Sequence, residues 1–201
     1  MRLIAPNSGT YYQIETFDAP RYAQAFDLTP APEELQGLLT RDDCLFIPCR
    51  TPAQRMIAQK DLIARHLDQG GTVIAMGESQ SQLWLPQVRF HHRPTNWWWW
   101  LEDGADLGVT ITAPDHPLMQ GMTKADVSWH IHGHFDLPQA AKVLIQDADG
   151  KALMYLDETS HKGRLLVTSL DPIYHHGSHF MPATTRFLDR FLPNLRRWLA
   201  A

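Results

Sequence analysis

The stretch from Asp43 to Met76 constrains this chain's fold more than any other. Asp43-Cys44-Leu45-Phe46-Ile47 is a compact apolar run of strand type. Thr51-Pro52-Ala53-Gln54 reads as a capping box with proline at the first helical position. Met56, Ile63 and Leu67 then share one stripe before Gly70 ends the helix. After Gly71 comes a second apolar strand, Thr72 to Met76. Strand, helix and strand in about 30 residues predict a βαβ unit, hence a parallel sheet with a right-handed crossover. Gly77-Glu78-Ser79 follows as a sharp turn, with glycine expected at Gly77 for its backbone torsions. Ser79 is thereby expected at the carboxyl edge of the sheet, where open α/β sheets put their ligands.

The rest of the chain supplies further strands and helices for the same sheet. Residues 2–5 suit a short first strand, and Pro32-Glu33-Glu34-Leu35 a helix start. Val109-Thr110-Ile111 suits a strand, and Asp115-His116-Pro117-Leu118 a turn leading into a short helix. Residues 142–146, 152–156 and 164–168 predict three strands, linked through Asp149-Gly150 and the Ser160 to Gly163 segment as hairpins. The last helix, 183–200, turns Phe187, Leu188, Phe191, Leu195 and Trp198 inward and is expected to kink at Pro193. No repeat or linker divides the 201 residues, so a single α/β domain over 1–201 is expected.

Composition removes several classes of function. Eighteen basic against 22 acidic side chains give a net charge of -4 with no Lys/Arg run, which argues against a nucleic-acid partner. No apolar run reaches membrane-spanning length, so no membrane partner is expected. Two cysteines, Cys44 and Cys49, form no disulfide framework, and Met1 to Asn7 is no signal peptide. A cytoplasmic setting is the simplest expectation.

Several pieces together carry a resemblance: the strand ending Ile47-Pro48, the helix closing at Gly70-Gly71 and the turn Gly77-Glu78-Ser79. His116-Pro117-Leu118 with Gly121, and Gly163-Arg164-Leu165-Leu166-Val167 before the final helix, add to it. Over roughly residues 40–200 the chain resembles the class I glutamine amidotransferase-like superfamily, including its ThuA-like branch. The resemblance implies a flavodoxin-like three-layer sandwich with a mostly parallel sheet flanked by helices. In the glutaminase members a Cys occupies the elbow and a His-x-Glu follows a late strand. Here the elbow position reads Ser79, and the late strand continues Thr168-Ser169-Leu170-Asp171-Pro172. The glutaminase triad is thus not retained, and a serine needs a positioned base where a thiolate does not.

Four groups of residues are candidates for chemistry. Ser79 reads as a nucleophile with His175 or His176 as base and Asp171 or Glu78 as orienter, or else simply as a helix cap. Trp129-His130-Ile131-His132-Gly133-His134, read as a strand, puts all three histidines on one face. Alternate residues there lie about 6.6–7 Å apart, so His132 and His134 suit a shared divalent metal with a further donor from the 171–179 loop. That loop, with Asp171, Tyr174, His175, His176 and His179, is expected beside Ser79. Trp97, Trp98, Trp99 and Trp100 cannot all pack inward, so they form either a ligand platform or a subunit interface. Cys49 reads as a pocket-rim thiol or as inert filler.

Three functions follow. The first is an amidotransferase-like protein without glutaminase activity, binding a small polar, carbohydrate-like ligand through Glu78, the four tryptophans, His130, His132, His134, Tyr174 and His179. The second is a hydrolase or isomerase using Ser79 with a His base, or a His-bound divalent metal. The third is a homo-oligomeric interaction protein built on the tryptophans.

Overall fold

The computed structural model describes residues 1–95 and 97–201. In chain order the elements are β1 (Arg2–Ile4), α1 (Tyr11–Phe17), α2 (Leu35–Leu38), β2 (Asp43–Ile47), α3 (Ala53–Ile57), α4 (Lys60–Asp68), β3 (Thr72–Ala75) and β4 (Phe90–His92). There follow β5 (Thr110–Ile111), α5 (Lys124–Val127), β6 (Gly133–Phe135), β7 (Lys142–Gln146), β8 (Ala152–Asp157), β9 (Arg164–Thr168), α6 (Pro172–Gly177) and α7 (Pro182–Ala200).

One sheet takes in every described strand. Its parallel part runs β1-β2-β3-β9, so the βαβ reading of residues 43–76 holds. From β9 the sheet continues antiparallel through β8, then through β6 and β4, while β7 and β5 extend it from β8. The alternation of side chains explains the three layers. Cys44, Phe46, Ile74 and Leu166 face one core, with Phe17 of α1, Ile173 of α6 and Phe187, Leu188, Phe191 and Leu195 of α7. Leu45, Ile47, Val73, Ala75, Leu165 and Val167 face the other, with Met56 of α3 and Ile63 and Leu67 of α4. This is an α/β sandwich of the expected flavodoxin-like kind.

Several local expectations change. The helix read over 53–69 is two helices, α3 and α4, separated at Ala58 and Gln59. Thr51 does not cap it: its hydroxyl donates to Pro48 O at 2.8 Å, and Pro52 takes the cap position without a side-chain bond. The 129–134 stretch is strand only from Gly133, where β6 pairs with β4. The final helix runs on through Pro193. No helix among the described residues is long and apolar enough to cross a membrane.

Candidate functional site

Three parallel strands end side by side, and the turns that follow them build the site. β2 leads to Arg50, β3 to Glu78 and β9 to Asp171. The turns are laced through their backbones: Arg50 N donates to Gly77 O at 3.1 Å, and Gly77 N to Leu170 O at 2.8 Å. Gly77 is required for space rather than torsion. A Cβ there would lie 2.2 Å from Ser169 O and 2.7 Å from Leu170 O. The left-handed torsions fall on its neighbours, Glu78 (φ 56°) and Gln80 (φ 51°), and on Arg50 (φ 56°) across the gap. Non-glycine residues held there store local strain, a feature that collects at functional sites.

The elbow residue is therefore Glu78, not Ser79. Ser79 is buried, its hydroxyl donates to Met76 O at 2.7 Å, and its carbonyl accepts from the Trp84 indole at 2.9 Å. Those partners are structural, and no histidine stands among them. The expected Ser79–His175 or Ser79–His176 pair is not formed, because the turn directs the residue after Glu78 into the packing around Trp84.

What converges instead is a buried group of three imidazoles and one carboxylate. His130, His132 and His175 each offer Nε2 to the same point as Asp171, with the four ligand atoms all within 4.8 Å of one another. His175 Nε2 and His130 Nε2 are 2.9 Å apart. Asp171 Oδ2 lies 3.3 Å from His175 Nε2 and 3.4 Å from His132 Nε2. The His132 contact is off the hydrogen-bonding axis, leaving that buried nitrogen without a partner. On its other side, His132 Nδ1 donates to Glu78 Oε1 at 3.2 Å and has Thr95 Oγ1 at the same distance. The Trp129 indole donates to Asp171 Oδ1 at 3.0 Å. Arg50 ties the group together, pairing with Glu78 and reaching Asp171 Oδ2 at 3.3 Å.

Electrostatics follow from this enclosure. Burial opposes ionisation of Asp171, but the close contacts and positive charge of His132 and His175 outweigh it and hold the carboxyl well below the usual range. Burial pushes the His130 imidazole down to about 3 against the pull of Asp171, so this ring is neutral at neutral pH. Cys49 is no reactive thiol. Complete burial and the nearby Asp171 charge push its pKa well above the ordinary value, and its sulfur accepts from Tyr174 N at 3.1 Å.

The remaining candidates divide by position. Tyr174 sits beneath Arg50, whose guanidinium carbon is 3.6 Å from the ring centroid. Trp97 covers the group from outside, 4.3 Å from the His130 ring and 5.5 Å from His132 by centroids. Trp98 and Trp100 are exposed, 6.3 Å apart, and Trp99 is half-buried. His134 is not with His132. Its ring stacks on His91 at 5.1 Å across the β4–β6 pair, because the extended alternation is broken at Gly133, where a Cβ would meet His91 O at 2.2 Å. His176 bonds Thr185 Oγ1 at 2.8 Å, and exposed His179 lies 3.5 Å from Glu15. Neither joins the group. Sequence reasoning misses Arg50 and Trp129. The signal for Arg50 is its place just past a strand end, matching Glu78 and Asp171; Trp129 adjoins a candidate histidine but gives no sign of facing Asp171.

Beside this group, at the strand carboxyl edge, opens a cavity of about 540 Å³. Arg50, Glu78, Gln80, Gln82 and His92 give it polar walls, and Tyr12, Phe90 and Phe135 supply rings. The size is that of a small-molecule pocket. None of the four consecutive tryptophans lines it.

No family model matches the sequence, and no curated protein does. Solved structures do. A GMP synthase subunit from Thermoplasma acidophilum aligns with a TM-score of 0.55 at 12% identity, covering 100% of this chain and 98% of that one. A glutamine amidotransferase from Thermotoga maritima aligns at 0.55 and 10% identity, covering 98% of this chain and 85% of the other. By its architecture, along nearly its whole length, the chain has the class I glutamine amidotransferase-like fold.

Proposed function

We propose that this chain binds a small polar, carbohydrate-like ligand in the crevice at the strand carboxyl edge and does not hydrolyse glutamine. The observation that carries this reading is the residue at the elbow. A glutaminase needs a nucleophile there, and Glu78 is instead committed to Arg50 and His132. The neighbouring hydroxyl of Ser79 is bonded inward, and the Cys49 thiol is buried. Amide side chains at Gln80 and Gln82, the His92 ring and the Tyr12, Phe90 and Phe135 rings suit a neutral polyhydroxylated molecule, which needs many hydrogen bonds and a flat apolar face.

The test has two arms. Saturation-transfer NMR against neutral sugars, nucleosides and amino acids is expected to select a sugar, with the signal weakened in Gln82→Ala and His92→Ala. An ammonia-release assay with glutamine is expected to stay at background. Ammonia release abolished by Glu78→Ala would overturn the reading, as would a screen in which amino acids bind and sugars do not.

A further inference from the structure

The ligand reading leaves the buried histidines beneath the crevice unexplained. Three imidazoles packed against one another bury polar nitrogen that core packing does not require. Their chemistry is specific. His130, His132 and His175 each turn the same atom, Nε2, to one point, and an Asp171 oxygen completes the set. In a tetrahedral shell with bonds near 2.0–2.1 Å, neighbouring donors lie about 3.3 Å apart. The separations found here are 2.9, 3.3, 3.4 and 4.0 Å. They bracket that value.

Second, one of these atoms has nothing else to do. His132 Nε2 is buried, aimed into the group and without a hydrogen-bond partner. Its tautomer is fixed from the opposite side, where Nδ1 donates to Glu78. A carboxylate behind a histidine, with the far nitrogen left as a lone pair, is how proteins prepare an imidazole to bind metal. The Trp129 indole orients Asp171 in the same manner. Third, the local charge suits a cation. Arg50 offsets one of the carboxylates Glu78 and Asp171, leaving one net negative charge beside neutral nitrogen donors.

We propose that His130, His132, His175 and Asp171 form a binding site for one borderline divalent transition ion of the zinc class. Three nitrogens and one oxygen favour such an ion over magnesium or calcium, which take oxygen shells. All four donors are buried, with Trp97 over His130 and Phe180 against His175 at 4.7 Å. A filled four-donor shell without an open position fastens structure rather than activating water. The ion clamps the segment before β6 to the start of α6 and so fixes the floor beneath Glu78. The site goes beyond the ligand reading and is read out without any ligand.

The test is metal uptake. Chelator-stripped protein is titrated with Zn²⁺ by calorimetry and with Co²⁺ by visible absorption, and elemental analysis is run on protein purified without chelator. A single ion per chain, tetrahedral Co²⁺ bands and a melting temperature that rises on metal addition and falls with chelator are expected. His175→Ala abolishes binding and His134→Ala leaves it unchanged. Because His175→Ala risks misfolding, Glu78→Gln, which keeps all four donors, supplies the second variant. It is expected to weaken Zn²⁺ by about 10–100-fold with an unchanged circular dichroism spectrum. Folded, stripped protein that takes up no Zn²⁺ would overturn the proposal, and so would stoichiometric uptake that survives His175→Ala.

Discussion

Replacing Gly77 by Ala tests whether the crowding of two strand-end turns sets the site. The added Cβ would stand 2.2 Å from Ser169 O, 2.5 Å from Ser169 C and 2.7 Å from Leu170 O. All three are backbone atoms, so no rotamer change relieves the clash, and the turns after β3 and β9 must separate by about 1 Å to reach van der Waals contact. Overpacking of this kind costs about 1–3 kcal/mol. The bond from Gly77 N to Leu170 O, 2.8 Å long, lies across the widened gap, and its loss adds about 1 kcal/mol. Lower freedom of the unfolded chain returns about 0.4–1 kcal/mol. The expected net loss is about 2–3 kcal/mol, measured as unfolding free energy in urea. Gly37→Ala is the control. It lies in α2 with nothing within 4 Å of the new methyl, so it should stabilise by up to about 1 kcal/mol. Equal stability of wild type and Gly77→Ala would refute the reasoning.

Two further outcomes follow from the same contacts. Ser79→Ala should cost about 1 kcal/mol, the worth of its bond to Met76 O. Wild-type Ser79 should stay unlabelled by a fluorophosphonate; labelling that Ser79→Ala removes would restore the serine nucleophile. His66, packed beneath Gly71, has its pKa lowered by burial, with the Thr72 carbonyl and Asp43 opposing. Its folded value thus lies below the unfolded one near 6.5, and the unfolded chain binds the extra proton as pH falls. Stability should decline from pH 7 to 5.5, and His66→Gln should flatten that slope; an unchanged slope would count against it.

The strands are legible wherever an apolar run is long enough to be bounded by turn signals. Residues 43–47 and 164–168 emerge as β2 and β9 with those limits. β4 and β6 are not, because three residues display barely one alternation, and their pairing depends on close backbone approach at Gly133. The same short segment decides which histidines meet. A continuous strand would align His132 with His134, whereas breaking the alternation sends His134 to His91. The loop richest in histidine does lie at the strand ends, and Asp171 and His175 do belong to the group there. Their partners lie far along the chain: Arg50 is 121 residues from Asp171 and Trp129 is 42. Neither local pattern nor spacing encodes such pairs. The elbow sits one residue before the serine that the sequence suggests, because the left-handed torsion expected of glycine falls on Glu78.

That displaced torsion says what the turn is for. Arg50 and Glu78 both hold φ of 56° and face each other in one ion pair. Each left-handed residue costs about 1–2 kcal/mol relative to glycine, so a turn shaped for stability alone would carry glycine at both places. The side chains are retained at the expense of backbone strain, and their contacts to His132 and Asp171 are what the strain supports. Comparing two truncations of Glu78 separates these contributions, because Glu78→Ala and Glu78→Gly remove the same carboxylate. Both lose the bonds to Arg50 and His132, but only the glycine variant relaxes the backbone. Glu78→Gly should therefore be more stable than Glu78→Ala by about 1 kcal/mol in urea unfolding. Equal stabilities would mean that the turn is unstrained, and the positive φ at the elbow would then carry no functional meaning.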